Sequence, residues 1–226
     1  MSLSVVVLAG GRSQRMGRCK ALMPFRGRPL VSWTVGALSE LSDDIVVVVS
    51  GDMEGRIRTA LPGWVRVVGD IQADMGPVAG LQAGLLSAKG SWVAVAPCDS
   101  PLSCVEFYRI LVREARGYEG AVPLFRRYLE PLHSVYLKRA MLHSIEKVLA
   151  RFGARTRGGH TPGPACAPRS DRRHSPKGAS VRDVLGLMRI RKVPSRKMVP
   201  ADPELRTFWN LSTPEDVRRA ERSAPV

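Results

Sequence analysis

The sequence lacks the marks of several large protein classes. Its 226 residues contain no apolar run near the roughly 20 residues that a membrane-spanning helix needs, so no membrane partner is expected. The first eight residues have no basic start before a long apolar centre, which predicts no secretory signal and a cytoplasmic location. The four cysteines include no CxxC pair, which argues against a zinc site and against a disulfide framework.

Aromatic side chains are scarce where the positive charge is concentrated. The chain has a net charge of +15, and residues 151–197 hold 13 Lys and Arg against 2 Asp, which leaves only +4 for the remainder. Phe152 is the one aromatic residue of this segment. Proteins that bind single-stranded nucleic acid normally interleave aromatic with basic side chains, so a nucleic-acid partner is not expected.

Aliphatic residues are nearly absent from residues 153–179, which are rich in glycine, proline and basic residues. Such a segment buries too little apolar surface to offset the entropy of ordering it. We predict a long mobile loop here, either a lid or a plain insertion, within a single domain of residues 1–226.

Apolar runs alternate with helical patterns along the first half of the chain. The runs predict strands at residues 5–9, 45–49, 65–68 and 92–96. Helical spacing of apolar residues follows Pro29 and recurs over residues 76–88. This order predicts an α/β fold, a doubly wound and mostly parallel sheet with helices on both faces, in a Rossmann-like architecture.

The second half is less regular. Further strands are predicted at residues 121–124, 134–137, 190–193 and 207–209, and a helix at residues 138–151. Ser180 is expected to cap a short helix with Asp183 at its third position, and Thr213 is expected to cap the last helix.

Polar residues and glycines follow four of the predicted strands directly. Ligands of open α/β sheets bind beyond the carboxyl ends of the strands. That rule places Gly10, Gly11, Ser50, Asp70 and Asp99 along one rim of the sheet, where we predict the active site.

The first of these strand ends leads into a cationic loop with the sequence LAGGRSQRMGRCK at residues 8–20. Gly10 and Gly11 allow backbone N–H groups to approach a ligand closely, and three arginines and one lysine follow. A strand that ends in such a loop suits a polyphosphate, although a surface turn with solvated basic residues has the same composition. Neither the GxxxxGK[ST] nor the GxGxxG spacing is present.

Asp99 follows a predicted strand in the sequence PCDSP. A carboxylate fixed at a strand end beside a phosphate loop is a natural Mg²⁺ ligand, whereas the alternative is a cap for the next helix. The convergence with Gly10 and Gly11 favours the metal. No GxSxG motif is present, and His133 has no identifiable partner in the sequence, so we expect His133 to order its neighbours rather than to react.

The cations suit charge stabilisation. If the loop binds a polyphosphate, positioned cations can stabilise the negative charge that develops on its phosphates during group transfer, without a covalent intermediate. We predict that Arg15 and Lys20 have this role.

The pattern LAGGxSxRMGxxK resembles the opening signature of the MobA-like molybdenum cofactor guanylyltransferases. Four later segments resemble that family in the same order, namely DIQADMGPVAG at 70–80, PCDSP at 97–101, VP at 122–123 with EPLHSVY at 130–136, and FWNLSTPED at 208–216. The pair Gly10 and Gly11 is typical of guanylyl-transferring members, whereas cytidylyl-transferring relatives have LAAG.

The resemblance implies a nucleotide site. Its expected members are Leu8, Ala9, Gly10, Gly11 and Lys20 for the phosphates and base of GTP, with Ser50 and Asp70 beside them. Ser50 stands where the family often has Asn, which leaves base recognition there open.

The resemblance also implies that Asp99 holds Mg²⁺ and that Asn210 touches the pterin substrate. Ser212 departs from the family pattern, because a second Asn is expected at that position. The implied reaction transfers GMP from Mg-GTP to the phosphate of molybdopterin, with release of pyrophosphate. Other proteins of cofactor biosynthesis are further implied partners.

Two alternatives remain open at this point. The first is a cytidylyltransferase, or another small-molecule guanylyltransferase of the same fold. The second is a non-catalytic protein that binds RNA or a protein partner.

Overall fold

A central β-sheet organises the protein in this computed structural model, which describes residues 2–10, 19–49, 53–70, 77–157 and 179–223. The strands are β1 Leu3–Leu8, β2 Pro24–Phe25, β3 Arg28–Pro29, β4 Ile45–Val49, β5 Arg66–Gly69, β6 Trp92–Pro97, β7 Gly120–Phe125, β8 Tyr128–Leu129, β9 Ser134–Leu137 and β10 Ile190–Pro194. Within these ranges β2 and β3 form a separate hairpin, and the other eight strands form the main sheet.

The main sheet has the order β10-β7-β9-β6-β1-β4-β5, with β8 paired to β7. Strands β6, β1, β4 and β5 are parallel neighbours, and β10 runs parallel to β7. Strand β9 lies antiparallel between β6 and β7. The prediction of a mostly parallel sheet is therefore confirmed, with two reversed strands, β8 and β9, that the chain order did not indicate.

Helices cover both faces of the sheet, as predicted. They are α1 Leu30–Leu38, α2 Glu54–Thr59, α3 Pro77–Ser87, α4 Val105–Glu114, α5 Lys138–Arg157, α6 Val181–Leu185 and α7 Pro214–Ser223. Helices α1, α2 and α4 contribute to one apolar cluster, and α3, α5 and α6 contribute to the cluster on the opposite face. Within the described residues, no helix is long and apolar enough to cross a bilayer.

The middle strands are buried on both faces. Val5 and Val7 of β1 belong to the first cluster, whereas Val6 and Leu8 belong to the second, as the alternation of side chains along a strand requires. All five residues of β4 are buried. This burial explains why residues 5–8 of β1 and all of β4 are continuous apolar runs in the sequence.

Both predicted helix caps are confirmed. The Ser180 hydroxyl accepts a hydrogen bond from the Asp183 N–H at 3.2 Å, and the Asp183 carboxylate accepts one from the Ser180 N–H at 3.0 Å. Thr213 and Asp216 make the same reciprocal pair at the start of α7. Each pair satisfies backbone donors that the first helical turn leaves free.

The predicted strand at residues 207–209 is wrong. Residues Arg206–Phe208 form a 3-10 helix, because the Asp202 carboxylate accepts hydrogen bonds from the backbone N–H groups of Arg206 and Thr207 at 2.8 and 2.9 Å. A short polar side chain thus competes with strand pairing for these donors.

The predicted loop at residues 153–179 needs correction at both ends. Helix α5 continues to Arg157, beyond the predicted end at residue 151. Ala179 is buried in the second apolar cluster, where it precedes the cap of α6. Residues 158–178 lie outside the described residues.

Gly84 lets α3 pack closely on the sheet. A Cβ atom at this position would lie 2.4 Å from Cγ1 of Val6 and 3.0 Å from Cγ2 of Val48. Val6 is β-branched and buried, so it has little freedom to move aside. A side chain larger than glycine at this position would therefore push α3 away from the sheet.

We expect Gly84→Ala to lower the free energy of unfolding by roughly 1 to 2 kcal/mol, because overpacking exceeds the gain in helix propensity. Gly36→Ala is the matched control, since Gly36 lies in α1 with no atom within 4 Å of the new Cβ, and it should be neutral or stabilising. Urea denaturation of both variants measures the difference. Equal stability of the two would show that α3 does not pack as described.

Candidate active site

The carboxyl ends of four parallel strands meet at one edge of the sheet. The register pairs Leu8 with Val48 and with Pro97, and Val49 with Gly69. Backbone hydrogen bonds continue beyond the strands, from Ala9 N–H to the Val48 carbonyl at 2.7 Å and from Cys98 N–H to the Leu8 carbonyl at 3.0 Å. The sheet therefore holds the residues after these strands on one rim.

The structure places the predicted rim residues that it describes at these strand ends. Gly10 is exposed directly after the half-buried Ala9, and Leu8 is buried at the end of β1. The Asp70 N–H donates to the Val49 carbonyl at 2.7 Å, which fixes Asp70 at the end of β5. Gly11, Arg15 and Ser50 lie outside the described residues.

Asp70 faces helix α3. Its Oδ2 atom lies 3.6 Å from the position that a Cβ atom of Gly80 would occupy, and Leu8 and Val48 lie on the same side of Gly80. The carboxyl group of Asp70 is thus held between the ends of β1, β4 and α3, on the rim where the sequence predicted it.

Lys20 and Asp99 are the two predicted catalytic residues that the structure describes, and it brings them together. The Lys20 Nζ atom lies 3.7 Å from Asp99 Oδ2 and donates a hydrogen bond to Ser212 Oγ at 2.9 Å. The Ser212 hydroxyl in turn donates to Asp99 Oδ2 at 3.4 Å. Ser212 therefore bridges the lysine and the carboxylate, although a serine here departs from the expected family pattern.

The surroundings of Asp99 oppose its ionisation in part. Burial raises the pKa of Asp99, and the Lys20 ammonium group and hydrogen bonds lower it by less than burial raises it. Side-chain exposure is 16% for Asp99 and 34% for Lys20, so the pair lies at the edge of solvent. A carboxylate held this way gains from any further cation that reaches it.

Asn210 lies beside this pair. The Leu211 N–H donates to the Asp99 carbonyl at 2.7 Å, which fixes the segment before α7 against the end of β6. The Asn210 side chain accepts a hydrogen bond from the Ser100 hydroxyl at 2.8 Å. Asn210, which is predicted to touch the pterin substrate, is thus the residue before Leu211, whose backbone is bonded to Asp99.

Ser100 is a member of this network that the sequence did not single out. Its hydroxyl also lies 3.0 Å from Nε2 of His133, which is buried. His133 therefore has a partner after all, and its contacts with Ser100 and Phe208 agree with the predicted role in ordering neighbours. Only its place directly after Asp99 could have drawn attention to Ser100.

The described part of the site can stabilise negative charge but offers no nucleophile. Lys20 supplies a cation at the rim, and Asp99 supplies a carboxylate within reach of it. Burial raises the pKa of the nearby Cys98 thiol far above neutrality, so this cysteine is not a thiolate. The arrangement suits direct transfer of a phosphoryl-type group by positioning and electrostatics.

Comparison with known proteins agrees with this arrangement. Residues 5–161 match the family described as the MobA-like NTP transferase domain. A probable molybdenum cofactor guanylyltransferase of Pelotomaculum thermopropionicum is 32% identical over 216 residues, which cover 95% of this chain and 90% of the relative. The molybdenum cofactor guanylyltransferase of Pseudomonas putida is 39% identical over 142 residues, which cover 61% of this chain and 72% of the relative.

The fold is shared with solved structures as well. Molybdopterin-guanine dinucleotide biosynthesis protein A from Archaeoglobus fulgidus superposes with a TM-score of 0.68 at 22% identity, with 97% of each chain covered. This likeness confirms the Rossmann-like nucleotidyltransferase fold. Together with the sequence matches, it shows that the chain is a nucleotidyltransferase and belongs to the MobA-like NTP transferase family.

Proposed function

We propose that the protein transfers GMP from GTP to the phosphate of molybdopterin and releases pyrophosphate. The observation that carries this proposal is the contact of Lys20 with Asp99 at the carboxyl ends of the strands, beside the end of β1, which leads into Gly10. In the proposed reaction an acceptor phosphate oxygen attacks the α-phosphorus of GTP, and the bond to the pyrophosphate oxygen breaks. The product is a guanine dinucleotide form of the cofactor.

The described residues divide the work. Leu8, Ala9 and Gly10 at the end of β1 are proposed to bind the triphosphate, and Asp70 at the end of β5 is proposed to contact the nucleoside. Lys20 stabilises the charge that develops on the α-phosphate and the leaving pyrophosphate. Gly11, Arg15 and Ser50 are proposed to complete the nucleotide site, as the family pattern implies.

The residues fit a magnesium ion at Asp99. Mg²⁺ is commonly held by one or two carboxylates together with substrate phosphates, and Asp99 presents its carboxylate beside the proposed triphosphate position. The hydrogen bond of 3.4 Å from Ser212 is long, so Asp99 oxygens retain capacity for a further ligand. When bound, the ion supplies Lewis-acid polarisation of the phosphate oxygens.

The acceptor side is proposed to lie at Asn210. Asn210 is exposed and comes two residues after Phe208 in the chain. The ring of Phe208 stacks on that of Phe125 at a centroid distance of 4.5 Å. The hydrogen bond from Leu211 N–H to the Asp99 carbonyl keeps Asn210 near Asp99, which supports an acceptor site next to the proposed metal and nucleotide. Ser212 takes the place of an amide in this segment and holds Lys20 instead.

A turnover assay tests the proposal. Purified protein, molybdopterin, Mg²⁺ and each of GTP, CTP, ATP and UTP are incubated in turn, with pyrophosphate release and the dinucleotide product measured. We expect product with GTP and at least about tenfold less with CTP, a difference on the order of 1.4 kcal/mol. Higher turnover with CTP would make the protein a cytidylyltransferase, and no product with any nucleotide would contradict the proposed acceptor.

A further inference from the structure

We infer that His133 and Ser100 form a buried positioning pair that fixes which end of the Asn210 amide faces the acceptor substrate. The inference rests on the proposed function for the identity of that acceptor. The directions of its two hydrogen bonds can be tested without a measurement of turnover.

The direction of the hydrogen bonds follows from the atoms involved. Ser100 has no exposed surface, and its Oγ lies 2.8 Å from Oδ1 of Asn210 and 3.0 Å from Nε2 of His133. Oδ1 carries no hydrogen, so Ser100 must donate its single proton there. The second contact is then a hydrogen bond only if His133 donates from Nε2 to Ser100.

This direction specifies the state of His133. A neutral imidazole with its proton on Nε2 has an unprotonated Nδ1, and Nδ1 is buried with no hydrogen-bond partner among the described residues. Burial lowers the pKa of His133 to about 4, so the ring is neutral near pH 7. The main chain of Thr207 is a nearby group that would favour a proton on Nδ1, but no hydrogen bond joins it to that atom. His133 therefore acts as a fixed donor, not as an acid or base.

The backbone around Asn210 is held without help from its side chain. The Leu211 N–H is bonded to the Asp99 carbonyl at 2.7 Å, and the Cys104 N–H is bonded to the Thr207 hydroxyl at 3.1 Å. These bonds anchor the segment on both sides of the asparagine. The Ser100 hydroxyl is thus available to orient the amide and is not required to place the loop.

The orientation has a chemical consequence. With Oδ1 held inward by Ser100, the amide NH₂ of the exposed Asn210 points outward with two donors. Two donors suit the oxygen atoms of a phosphate or of a pterin carbonyl. An inverted amide would present its own oxygen to the same groups and repel them.

The contact between a serine and a histidine does not make a hydrolytic site. Ser100 is inaccessible to substrate, and its proton is already donated to Asn210. His133 also lacks a carboxylate on Nδ1 among the described residues, whereas a catalytic triad places one there. The pair therefore acts through Asn210 and is a positioning device.

Ser100→Ala tests the positioning role by kinetics. We expect the KM for molybdopterin to rise about fivefold to tenfold, because the amide loses its preferred orientation, while kcat and the KM for GTP change by less than about twofold. Ser103→Ala is the matched control, since Ser103 is also a buried serine and its hydroxyl donates to the Ser100 carbonyl at 2.8 Å instead of to Asn210. An equal rise of KM in both variants would overturn the inference.

Two variants of His133 separate hydrogen bonding from packing. The amide nitrogen of a glutamine can take the place of Nε2, so His133→Gln should keep the KM for molybdopterin within about twofold of the wild type. His133→Leu removes the donor and should behave as Ser100→Ala does. In the background of Asn210→Ala, Ser100→Ala should have no further effect on KM, and an additive effect would contradict the coupling.

The ligand-free protein supplies a readout that is independent of the reaction. Nitrogen-15 NMR of the histidine rings should show His133 protonated on Nε2 and unprotonated on Nδ1, with His133→Gln used to identify its signals among the four histidines. Protonation on Nδ1 instead would overturn the inference. If the wild type fails to transfer GMP, the proposed function fails, but the NMR result still decides the direction of the hydrogen bonds.

Discussion

Asp99→Asn is expected to lower kcat/KM for nucleotidyl transfer by about 10³-fold, on the order of 4 kcal/mol of transition-state stabilisation. The neutral amide cannot replace the negative charge that the proposed magnesium site needs. Burial already opposes the charge of Asp99, so the isosteric amide should leave the melting temperature unchanged or higher. Steady-state kinetics and thermal unfolding of the same preparation measure both effects.

Asp44→Asn is the matched control for this variant. Asp44 is also a partly buried carboxylate that is paired with a cation, Arg66. It lies just before β4, at the amino ends of the parallel strands and not at their carboxyl ends. Burial opposes its ionisation, yet hydrogen bonds from Ser4, the Lys89 N–H and Arg66 outweigh burial and lower its pKa. Asp44→Asn should therefore lose stability and keep kcat. Loss of kcat in both variants alike would contradict a local role for Asp99.

Lys20→Met is expected to lower kcat by about 10²-fold, because the rim loses a cation that is positioned for charge that develops in the transition state. Lys20 donates to Ser212 at 2.9 Å and lies 3.7 Å from Asp99, so it is held in place before substrate arrives. Rapid-quench measurement of a single turnover gives the chemical step directly. A change confined to the KM for GTP would show that Lys20 binds the ground state only.

The same variant has a predicted pH dependence. Burial raises the pKa of Asp99, and the charge of Lys20 lowers it in part. Removal of that charge should therefore raise the pKa of Asp99 further. Asp99 then stays protonated to a higher pH, and the acidic limb of the kcat/KM profile should move to higher pH. Lys138→Met, which removes a lysine that donates to the Ala88 carbonyl at the opposite edge, should leave the profile unchanged. A shift in the opposite direction would contradict the pairing.

The sequence predicts those parts of the fold that are long and apolar. Strands β1, β4 and β6 have continuous buried runs, and their carboxyl ends meet where the rule for open sheets places them. The hairpin of β2 and β3 has only two residues in each strand and depends on Arg26 and Gly27 at positive φ, which no apolar pattern reveals. The reversed direction of β9 likewise depends on the pairing of distant segments.

The candidate site also contains residues that the sequence predicts and residues that it does not. Asp99 and Lys20 were predicted from motifs, and their contact confirms that the two motifs converge. The links of Ser212 to Lys20 and of Ser100 to Asn210 were not predicted, because each joins residues that lie more than 100 positions apart in the chain. Contacts of this kind depend on tertiary packing and have no local pattern.

The central claim is that Asp99 and the end of β1 face one magnesium-bound triphosphate. The most direct measurement is the anomalous scattering of Mn²⁺ in crystals grown with Mn²⁺ and a non-hydrolysable GTP analogue. We predict one anomalous peak bound to the Asp99 carboxylate and to phosphate oxygens, with the triphosphate against Ala9 and Gly10 and beside Lys20. A metal and triphosphate bound elsewhere, with Asp99 still paired only with Lys20 and Ser212, would contradict the account.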